Sequence, residues 1–276
     1  MEFEFPYAKH GLSIVLPAYN EEKNLEMAVS ACLRTIPSIT SLPFEVVVVN
    51  DGSRDQTGAV LDSLAADNPM VCAVHHPRNK GYGQAILTGF RHTRYDLIFF
   101  TDSDLQFDLA ELKSFLPLIK EHDLVAGYRI NRQDPWRRLL FAFGWNKLMR
   151  ILFGLKIRDV DCAFKLFRRE AIAPLEIRSL GAMFSAELLI RFKAEGFRFT
   201  EVGVHHYKRK AGKATGGQLW VIARAFRELN AFFWHWQNHK LKSSKVPKKP
   251  LARIGLLGLI MTAFPGDVLS DLIALI

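Results

Sequence analysis

The chain has 276 residues, of which 49% are hydrophobic and 24% charged, a globular composition that excludes a disordered chain, a collagen and a disulfide scaffold. The net charge of +9 is uneven, since residues 1–135 carry 12 Lys+Arg against 18 Asp+Glu and residues 136–276 carry 25 against 10. This asymmetry predicts a basic face for an anionic partner: nucleic acid, anionic lipid or a phosphorylated ligand. Three widely spaced cysteines without a CxxC pair argue against a zinc site and indicate a reducing compartment.

The first 130 residues alternate between strand and helix patterns. Short apolar runs predict strands, and segments with helical spacing separate them. The run Phe44–Asn50 is nearly all apolar and β-branched, as in a parallel strand covered on both faces. The order predicts an α/β fold with a doubly wound, mostly parallel sheet. The predicted strands are 12–18, 44–50, 71–75, 96–101 and 123–127, and the predicted helices are 21–36, 54–67, 83–93 and 109–121.

Beyond residue 130 the predicted helices are basic and aromatic. Residues 136–169 hold nine Lys+Arg against two acids, and residues 205–250 hold eleven against one. Such amphipathic helices suit a bilayer interface, although the same pattern arises when apolar faces pack on a sheet and the charges are solvated. The predicted helices are 136–153, 184–195 and 218–236, the predicted strands are 162–167 and 197–204, and a basic linker (240–250) and an apolar tail (251–276) follow. The tail is broken at Pro265 and is expected to be membrane-associated or an oligomer contact.

Polar residues follow four of the predicted strands, at the edge where open parallel sheets bind ligands. Asp102-Ser103-Asp104 is the sharpest of these motifs, because residues i and i+2 of an extended segment point the same way. Two carboxylates so placed repel each other unless a cation lies between them. Since Mg²⁺ binds one or two carboxylates together with substrate phosphates, the motif predicts a metal–diphosphate site. The alternative is a solvated turn with helix-capping acids.

A glycine-rich turn, Asn79-Lys80-Gly81-Tyr82-Gly83, precedes the predicted helix 83–93. Such a turn presents free backbone N–H groups to a phosphate, although it is also an ordinary way to begin a helix. It lacks the third glycine of a dinucleotide fingerprint, and the chain contains no Walker-type phosphate loop.

Six ordered segments between residues 12 and 236 resemble glycosyltransferase family 2 and its GT-A fold. They are SIVLPAYNEEKNL, VVVVNDGSRDQTG, NKGYGQA, TDSDLQFD, RDVDCAFKLFRRE and FRFTEVGVHHYKRKAGKATG. The last two are similar to the polyprenol-phosphate sugar synthase branch, which includes dolichol-phosphate mannose synthases. The resemblance implies inverting, Mg²⁺- or Mn²⁺-dependent transfer from a GDP- or UDP-sugar to a polyprenyl phosphate. It implies a GT-A domain over 1–239, with a nucleotide-sugar half (12–130) and an acceptor half (131–239). It also implies a peripheral or shallowly inserted position on the cytoplasmic face of the membrane, no nucleic-acid partner, and possible homo-oligomers.

The resemblance also assigns roles to individual residues. The positions expected to bind the nucleotide sugar are Pro17, Tyr19, Glu21, Asp51, Lys80, Asp102, Ser103, Asp104, Gln106 and Arg129. The expected metal ligands are Asp102, Asp104 and Gln106. The expected contacts to the acceptor phosphate are Arg209 and Lys213. The expected catalytic residues are Asp104, Asp159, Arg129 and Arg209.

Asp159 is expected to organise the acceptor or to act as a base, with Asp161 as second choice. The alternative for Asp159 and Asp161 is an ion pair with Arg158, Lys165 or Arg168.

Two departures from the branch pattern leave the donor sugar unassigned. Arg209 is followed by Lys-Ala-Gly-Lys instead of Gly-x-Ser-Lys, and Cys162-Ala163-Phe164 stands where Gly-Phe is common. Three other functions stay open from the sequence. They are a family 2 enzyme with a saccharide acceptor, a nucleotidyltransferase with a similar sheet, and a basic nucleic-acid-binding protein.

Overall fold

The computed structural model describes residues 9–132, 134, 136–181, 183–209 and 219–243. Seven strands form one sheet in the order β3-β2-β1-β4-β6-β5-β7. All pairs are parallel except those that β6 makes with β4 and β5, so the predicted mostly parallel, doubly wound sheet is confirmed. The strands are β1 (Lys9–Ala18), β2 (Phe44–Asn50), β3 (Val71–His75), β4 (Tyr95–Thr101), β5 (Leu124–Ile130), β6 (Phe164–Arg168) and β7 (Phe199–His205).

Eight α-helices and one 3-10 helix, Leu109–Ser114, are formed by the described residues. The α-helices are α1 (Leu25–Ile39), α2 (Thr57–Asp67), α3 (Tyr82–His92), α4 (Phe115–Leu118), α5 (Trp136–Phe153), α6 (Arg169–Ile172), α7 (Phe184–Ala194) and α8 (Leu219–Ser243).

Several predicted helix boundaries are wrong, including that of α2, which begins at Thr57 rather than at residue 54. The first helix begins at Leu25 rather than at residue 21, because the preceding turn is held by the first residue of α2, where Thr57 Oγ1 accepts from the Glu21 amide at 2.8 Å. The segment 109–121 is a 3-10 helix and one short α-helix, α4, which contains Pro117 and therefore lacks one backbone donor. Helix α8 continues to Ser243, four residues into the predicted linker. The rest of that linker and the tail 251–276 lie outside the described residues.

The sheet is buried on both faces, and the strand sequences alternate between two cores. Val47 and Val49 of β2 pack into one core, and Val46 and Val48 pack into the other. Each fully buried valine contributes roughly 1.5–3 kcal/mol. Helix α1 and the 3-10 helix cover one face, and α3, α5, α7 and α8 cover the other. The two predicted halves therefore share a single sheet.

The second-half helices divide between packing and exposure. On α5, Trp145, Leu148 and Met149 are buried in the core, whereas Phe143 is 64% exposed. One face of α5 therefore packs on the sheet, as the alternative to a bilayer interface predicts. The opposite face presents apolar side chains to solvent. Among the described residues, no helix is both long enough and apolar enough to span a bilayer.

Strand register brings the chemistry-bearing segments to one edge. Ala18 pairs with Asn50, so the loops that follow β1 and β2 begin side by side. Because β6 runs antiparallel, its first residue, Phe164, pairs with Thr101, the last residue of β4. The segment that precedes β6, which contains Asp159 and Asp161, therefore meets the segment that follows β4.

The loop between α6 and α7 is held by a fully buried carboxylate, that of Glu187. Its oxygens accept hydrogen bonds from the amides of Arg178 (3.1 Å) and Ser179 (2.6 Å) and from Nε of Arg191 (2.6 Å). A buried donor that loses its acceptor retains its full desolvation cost. Glu187 therefore fixes the path of this loop.

We predict that Glu187→Ala lowers the free energy of unfolding by about 3 kcal/mol, because two amides and a guanidinium lose their acceptor. Urea denaturation measures this change. The matched control is Glu195→Ala, an exposed carboxylate just after α7, which should change stability by less than about 0.5 kcal/mol. Equal stability of the two variants would contradict the role assigned to Glu187.

Candidate active site

The Asp102-Ser103-Asp104 turn is held in place by three hydrogen bonds. Tyr82 Oη donates to Asp102 Oδ1 at 2.9 Å, Ser103 Oγ donates to the Pro17 carbonyl at 2.9 Å, and the Gln106 amide donates to Asp104 Oδ1 at 3.2 Å. Ser103 is buried, so its hydroxyl fixes the turn against β1. Both acidic side chains are thus positioned at the edge of the sheet.

Burial, followed by the charge of neighbouring carboxylates, raises the pKa values of three carboxyl groups at this edge. Burial raises the pKa of Asp102 to about 7, and the charge of Asp104 adds to the effect. Burial also raises the pKa of Asp104, although Arg209 opposes the shift. The protein walls around Asp161 raise its pKa to about 6, with a further contribution from Asp159, although part of the Asp161 side chain stays accessible to water. Ionisation of these groups is therefore costly without additional positive charge.

Arg209 lies between two acids from distant parts of the chain. Its Nη2 forms an ion pair with Glu21 Oε1, and its Nη1 lies 3.8 Å from Asp104 Oδ2. Glu21 also accepts from Asn24 Nδ2 at 2.7 Å. The structure therefore brings together Glu21, Asp104 and Arg209, three of the residues that the sequence singles out. Lys213 lies outside the described residues.

Arg129 and Asp159 form a bidentate ion pair at the same edge. Arg129 Nε donates to Oδ2 at 2.7 Å and Nη2 donates to Oδ1 at 2.8 Å, and each side chain is only 7% exposed. Burial by itself would raise the pKa of Asp159, but the hydrogen bonds and charge of Arg129 outweigh it and hold this pKa below its ordinary value. The ion-pair alternative for Asp159 therefore holds, but the partner is Arg129 and not Arg158, Lys165 or Arg168.

The Asp51 carboxylate accepts hydrogen bonds from the turn that precedes α3. Its Oδ1 accepts from the Lys80 amide and its Oδ2 from the Gly81 amide, each at 2.9 Å, and Nδ1 of His76 lies 2.6 Å from Oδ1. Its side chain is buried, and its contact to the nucleotide sugar stays a prediction.

The expectation that the glycine-rich turn cradles a phosphate is wrong for three of its amides. Those of Lys80 and Gly81 donate to Asp51, and that of Gly83 donates to the Leu180 carbonyl at 3.0 Å. The buried Asp51 carboxylate needs these donors, because an unpaired buried charge is costly. The side chain of Lys80 is exposed, and its contact to the nucleotide sugar stays a prediction.

The remaining predicted donor positions differ in exposure. Tyr19 is 42% exposed at the end of β1, whereas Pro17 is buried within the strand. Gln106 donates from Nε2 to the Tyr207 carbonyl at 2.9 Å, which ties the turn after β4 to the end of β7. The role of Gln106 as a metal ligand and the contacts of Tyr19 and Pro17 to the nucleotide sugar stay predictions.

Sequence reasoning missed three residues of the site. Tyr82 donates to Asp102, and its position between two glycines of the turn was the available signal. Lys165 is fully buried and donates to the carbonyls of Val160 (3.2 Å) and Cys162, so it holds the loop that carries Asp161. Its burial lowers its pKa. His206 packs against Phe107, and burial, followed by the charge of Arg129, lowers the pKa of His206 to about 4.

The side chains at this edge supply only part of the ligand shell of a divalent cation. Within the described ranges, no three His, Cys, Asp or Glu side chains form a cluster that could hold a metal. Asp102 and Asp104 supply the one or two carboxylates with which Mg²⁺ or Mn²⁺ is bound when substrate phosphates complete the shell. The residues present therefore fit a metal that arrives with a diphosphate.

Three relatives are identical to this chain at about a third of the aligned residues. The undecaprenyl-phosphate 4-deoxy-4-formamido-L-arabinose transferase of Shewanella sediminis is 32% identical over 78% of this chain and 64% of the relative. The polyprenol monophosphomannose synthase of Mycolicibacterium smegmatis is 31% identical over 75% and 82%. Glycosyltransferase AglD of Haloferax volcanii is 31% identical over 70% of this chain but only 32% of its own length. The chain thus spans about a third to four-fifths of these relatives.

Solved structures share the fold. A mannosyltransferase from Pyrobaculum calidifontis in complex with GDP-Man and Mn²⁺ superposes with a TM-score of 0.60 at 17% identity, over 98% of this chain and 75% of the other. Glucosyl-3-phosphoglycerate synthase from Mycobacterium tuberculosis, in complex with Mn²⁺, UDP and glucosyl-3-phosphoglycerate, gives 0.55 at 20% identity, over 87% and 82%. The model of the family described as glycosyl transferase family 2 matches residues 13–175. More than half of the chain lies within this match, and the chain belongs to glycosyl transferase family 2.

Proposed function

We propose that this chain transfers a sugar, with inversion, from a GDP- or UDP-sugar to the phosphate of a polyprenyl lipid. The observation that carries the proposal is the convergence of Asp102, Asp104, Glu21 and Arg209 at the carboxyl edge of the sheet. The relatives named for undecaprenyl phosphate and polyprenol support the choice of acceptor.

Asp102 and Asp104 are the residues that would hold Mg²⁺ or Mn²⁺. Burial and neighbouring carboxylates raise the pKa values of both groups although Arg209 lies nearby, so a further positive charge, such as that of a divalent cation, would favour their ionised forms. When bound, the metal acts as a Lewis acid that stabilises the charge developing on the leaving diphosphate. Gln106 stays a candidate third ligand. Tyr82 keeps Asp102 oriented, and Ser103 keeps the turn against β1.

The acceptor chemistry requires positive charge more than it requires a base. An oxygen of the acceptor phosphate attacks the anomeric carbon, the bond from that carbon to the diphosphate oxygen breaks, and the nucleoside diphosphate leaves with the electron pair. A phosphate monoester has a second pKa of about 6, so its oxygen is already anionic near neutral pH. Arg209, which lies beside Asp104, is the first candidate for the contact to this phosphate. Lys213 is the second candidate.

Asp159 is better suited to position Arg129 than to accept a proton. Its carboxylate receives three hydrogen bonds from Arg129, including one from the backbone amide at 3.2 Å, and its pKa lies below the ordinary range. A base must accept protons at the working pH, which this low pKa opposes. Arg129, fixed in this way, is the candidate contact on the donor side.

The lipid acceptor places the reaction at a membrane. Phe143 and Leu139 on α5 are exposed, and the second half of the chain is strongly basic, as at the surface of an anionic bilayer. A cytosolic nucleotide sugar would place this chain on the cytoplasmic face.

The proposed reaction is tested by incubating the purified chain with Mn²⁺, a short polyprenyl phosphate and separate UDP- and GDP-sugars. Mass spectrometry detects the lipid-linked monosaccharide.

We predict that Asp104→Asn lowers the rate of transfer about 100-fold or more and weakens Mn²⁺ binding, because one carboxylate ligand becomes a neutral amide. Transfer assays and titration calorimetry with Mn²⁺ and nucleoside diphosphate measure the two effects. Asp67→Asn, an exposed acid at the end of α2, is the matched control and should leave both unchanged. Full turnover by Asp104→Asn would refute the metal assignment.

We predict that Asp102→Asn raises the melting temperature of the metal-free protein at pH 8 by about 2–4 °C. The folded-state pKa of about 7 exceeds the unfolded value of about 3.9, so the wild-type loses stability as the pH rises through this window. The gain should therefore vanish near pH 4. Calorimetric scans at both pH values decide the matter, and a loss of stability at pH 8 would contradict the electrostatic account.

We predict that Arg209→Gln raises the KM for polyprenyl phosphate about tenfold or more, because a charge-assisted hydrogen bond to the phosphate is lost. Steady-state kinetics with each substrate varied in turn separate the two KM values. Lys208→Gln, the exposed neighbouring cation, is the control and should change neither. A change confined to the KM for the nucleotide sugar would move Arg209 to the donor side.

A further inference from the structure

A pocket lined largely by cations lies between the end of α5 and the edge strand β7. It has a volume of about 280 Å³ and is lined by Arg150, Lys156, Ile157, Arg158 and Glu201. This volume lies just below the range of ligand sites, which begins at about 300 Å³. Three of its five lining residues are cations, and all three are exposed. The pocket therefore presents concentrated positive charge to solvent.

The pocket wall is ordered by contacts of its own. The guanidinium of Arg158 lies 4.5 Å from the centre of the Tyr128 ring, and the backbone amide of Arg158 donates to Glu201 Oε1 at 2.7 Å. The Tyr128 ring in turn lies over Gly203 of β7, where a Cβ would meet the ring at 3.2 Å. Guanidinium groups held against an aromatic ring are preorganised for phosphate recognition.

The pocket and the proposed active site lie on opposite faces of β5. Side chains alternate along a strand, so Tyr128 points toward the pocket while Arg129 points toward Asp159. Ala126 and Val125 of the same strand belong to the two different cores, which confirms the alternation. An anion in the pocket would therefore not be the one that takes part in sugar transfer.

The apolar surface next to the pocket indicates which anion it takes. Leu139, Phe143 and Arg150 are exposed and follow one another at helical spacing, so one face of α5 runs from apolar side chains to the pocket. Apolar side chains beside phosphate-binding cations match a lipid, which carries acyl chains beside its phosphate. A free phosphate would make no use of the apolar part.

We propose that Arg150, Lys156 and Arg158 bind the phosphate headgroup of an anionic phospholipid, with Leu139 and Phe143 against the bilayer. This site orients the protein on the membrane while the acceptor reaches the opposite face of β5. The proposal rests on the membrane location given under the proposed function, but it concerns a lipid that is not a substrate.

The test compares two double variants of the full chain, Arg150→Gln/Lys156→Gln and the charge-matched control Arg34→Gln/Lys113→Gln. Arg34 and Lys113 are exposed and lie on α1 and the 3-10 helix, which cover the other face of the sheet. Co-sedimentation with phosphatidylcholine vesicles, with and without phosphatidylglycerol, measures binding. Each basic residue near an anionic surface contributes about fivefold, so we expect the pocket variant to bind phosphatidylglycerol vesicles about 25-fold more weakly. The control should change binding less than about twofold.

Three outcomes would overturn the proposal. Equal losses in both variants would show that only net charge matters, and unchanged binding of the pocket variant would show that the pocket takes no lipid. If calorimetry shows that the wild-type and the control bind inorganic phosphate and the pocket variant does not, while vesicle binding is unchanged, the pocket takes a free phosphate.

Transfer to a short polyprenyl phosphate in detergent separates the two proposals, because the pocket variant should retain this activity. If the wild-type transfers no sugar but binds the vesicles as expected, the proposed function fails and the lipid site stands.

Discussion

Burial of neighbouring carboxylates at one edge of the sheet is the constraint on which the rest of the site depends. Asp102, Asp104 and Asp161 all have raised pKa values there. Arg209 and the buried Lys165 offset part of this charge, one from the loop after β7 and the other from β6. The remaining negative charge favours the binding of a cation. Without a bound cation the protein would be more stable if these acids were absent, as is common where binding requires unfavourable charge placement.

The two halves of the chain are joined by backbone contacts as well as by the sheet. The Leu180 carbonyl accepts from the Gly83 amide, and a Cβ on Gly81 would stand 2.7 Å from the same carbonyl oxygen. The loop that carries Leu180 is in turn held by Glu187. The turn beside Tyr82 is therefore positioned by the second half, and a change in that half reaches the Asp102 side chain through a short series of contacts.

Strand-end motifs could be predicted because they are local in the sequence. The four polar segments after β1, β2, β3 and β4 follow from hydrophobic runs whose ends are marked by polar residues, and parallel strands bring such ends to one edge. The partners within that edge could not be predicted in the same way. Arg129 and Asp159 are 30 residues apart and Glu21 and Arg209 are 188 apart, so no local pattern connects them.

The sequence by itself determined the order of strands and helices, the acidic motif and the family resemblance, because each depends on residue types at short spacing. Only the tertiary structure decided how individual groups are used. Asp51 ties down the turn before α3, and Lys165 lies fully buried although its strand pattern does not mark it as such. The reason is physical: a pKa, an ion pair or a pocket depends on atoms within a few ångströms, and folding brings those atoms from distant parts of the chain.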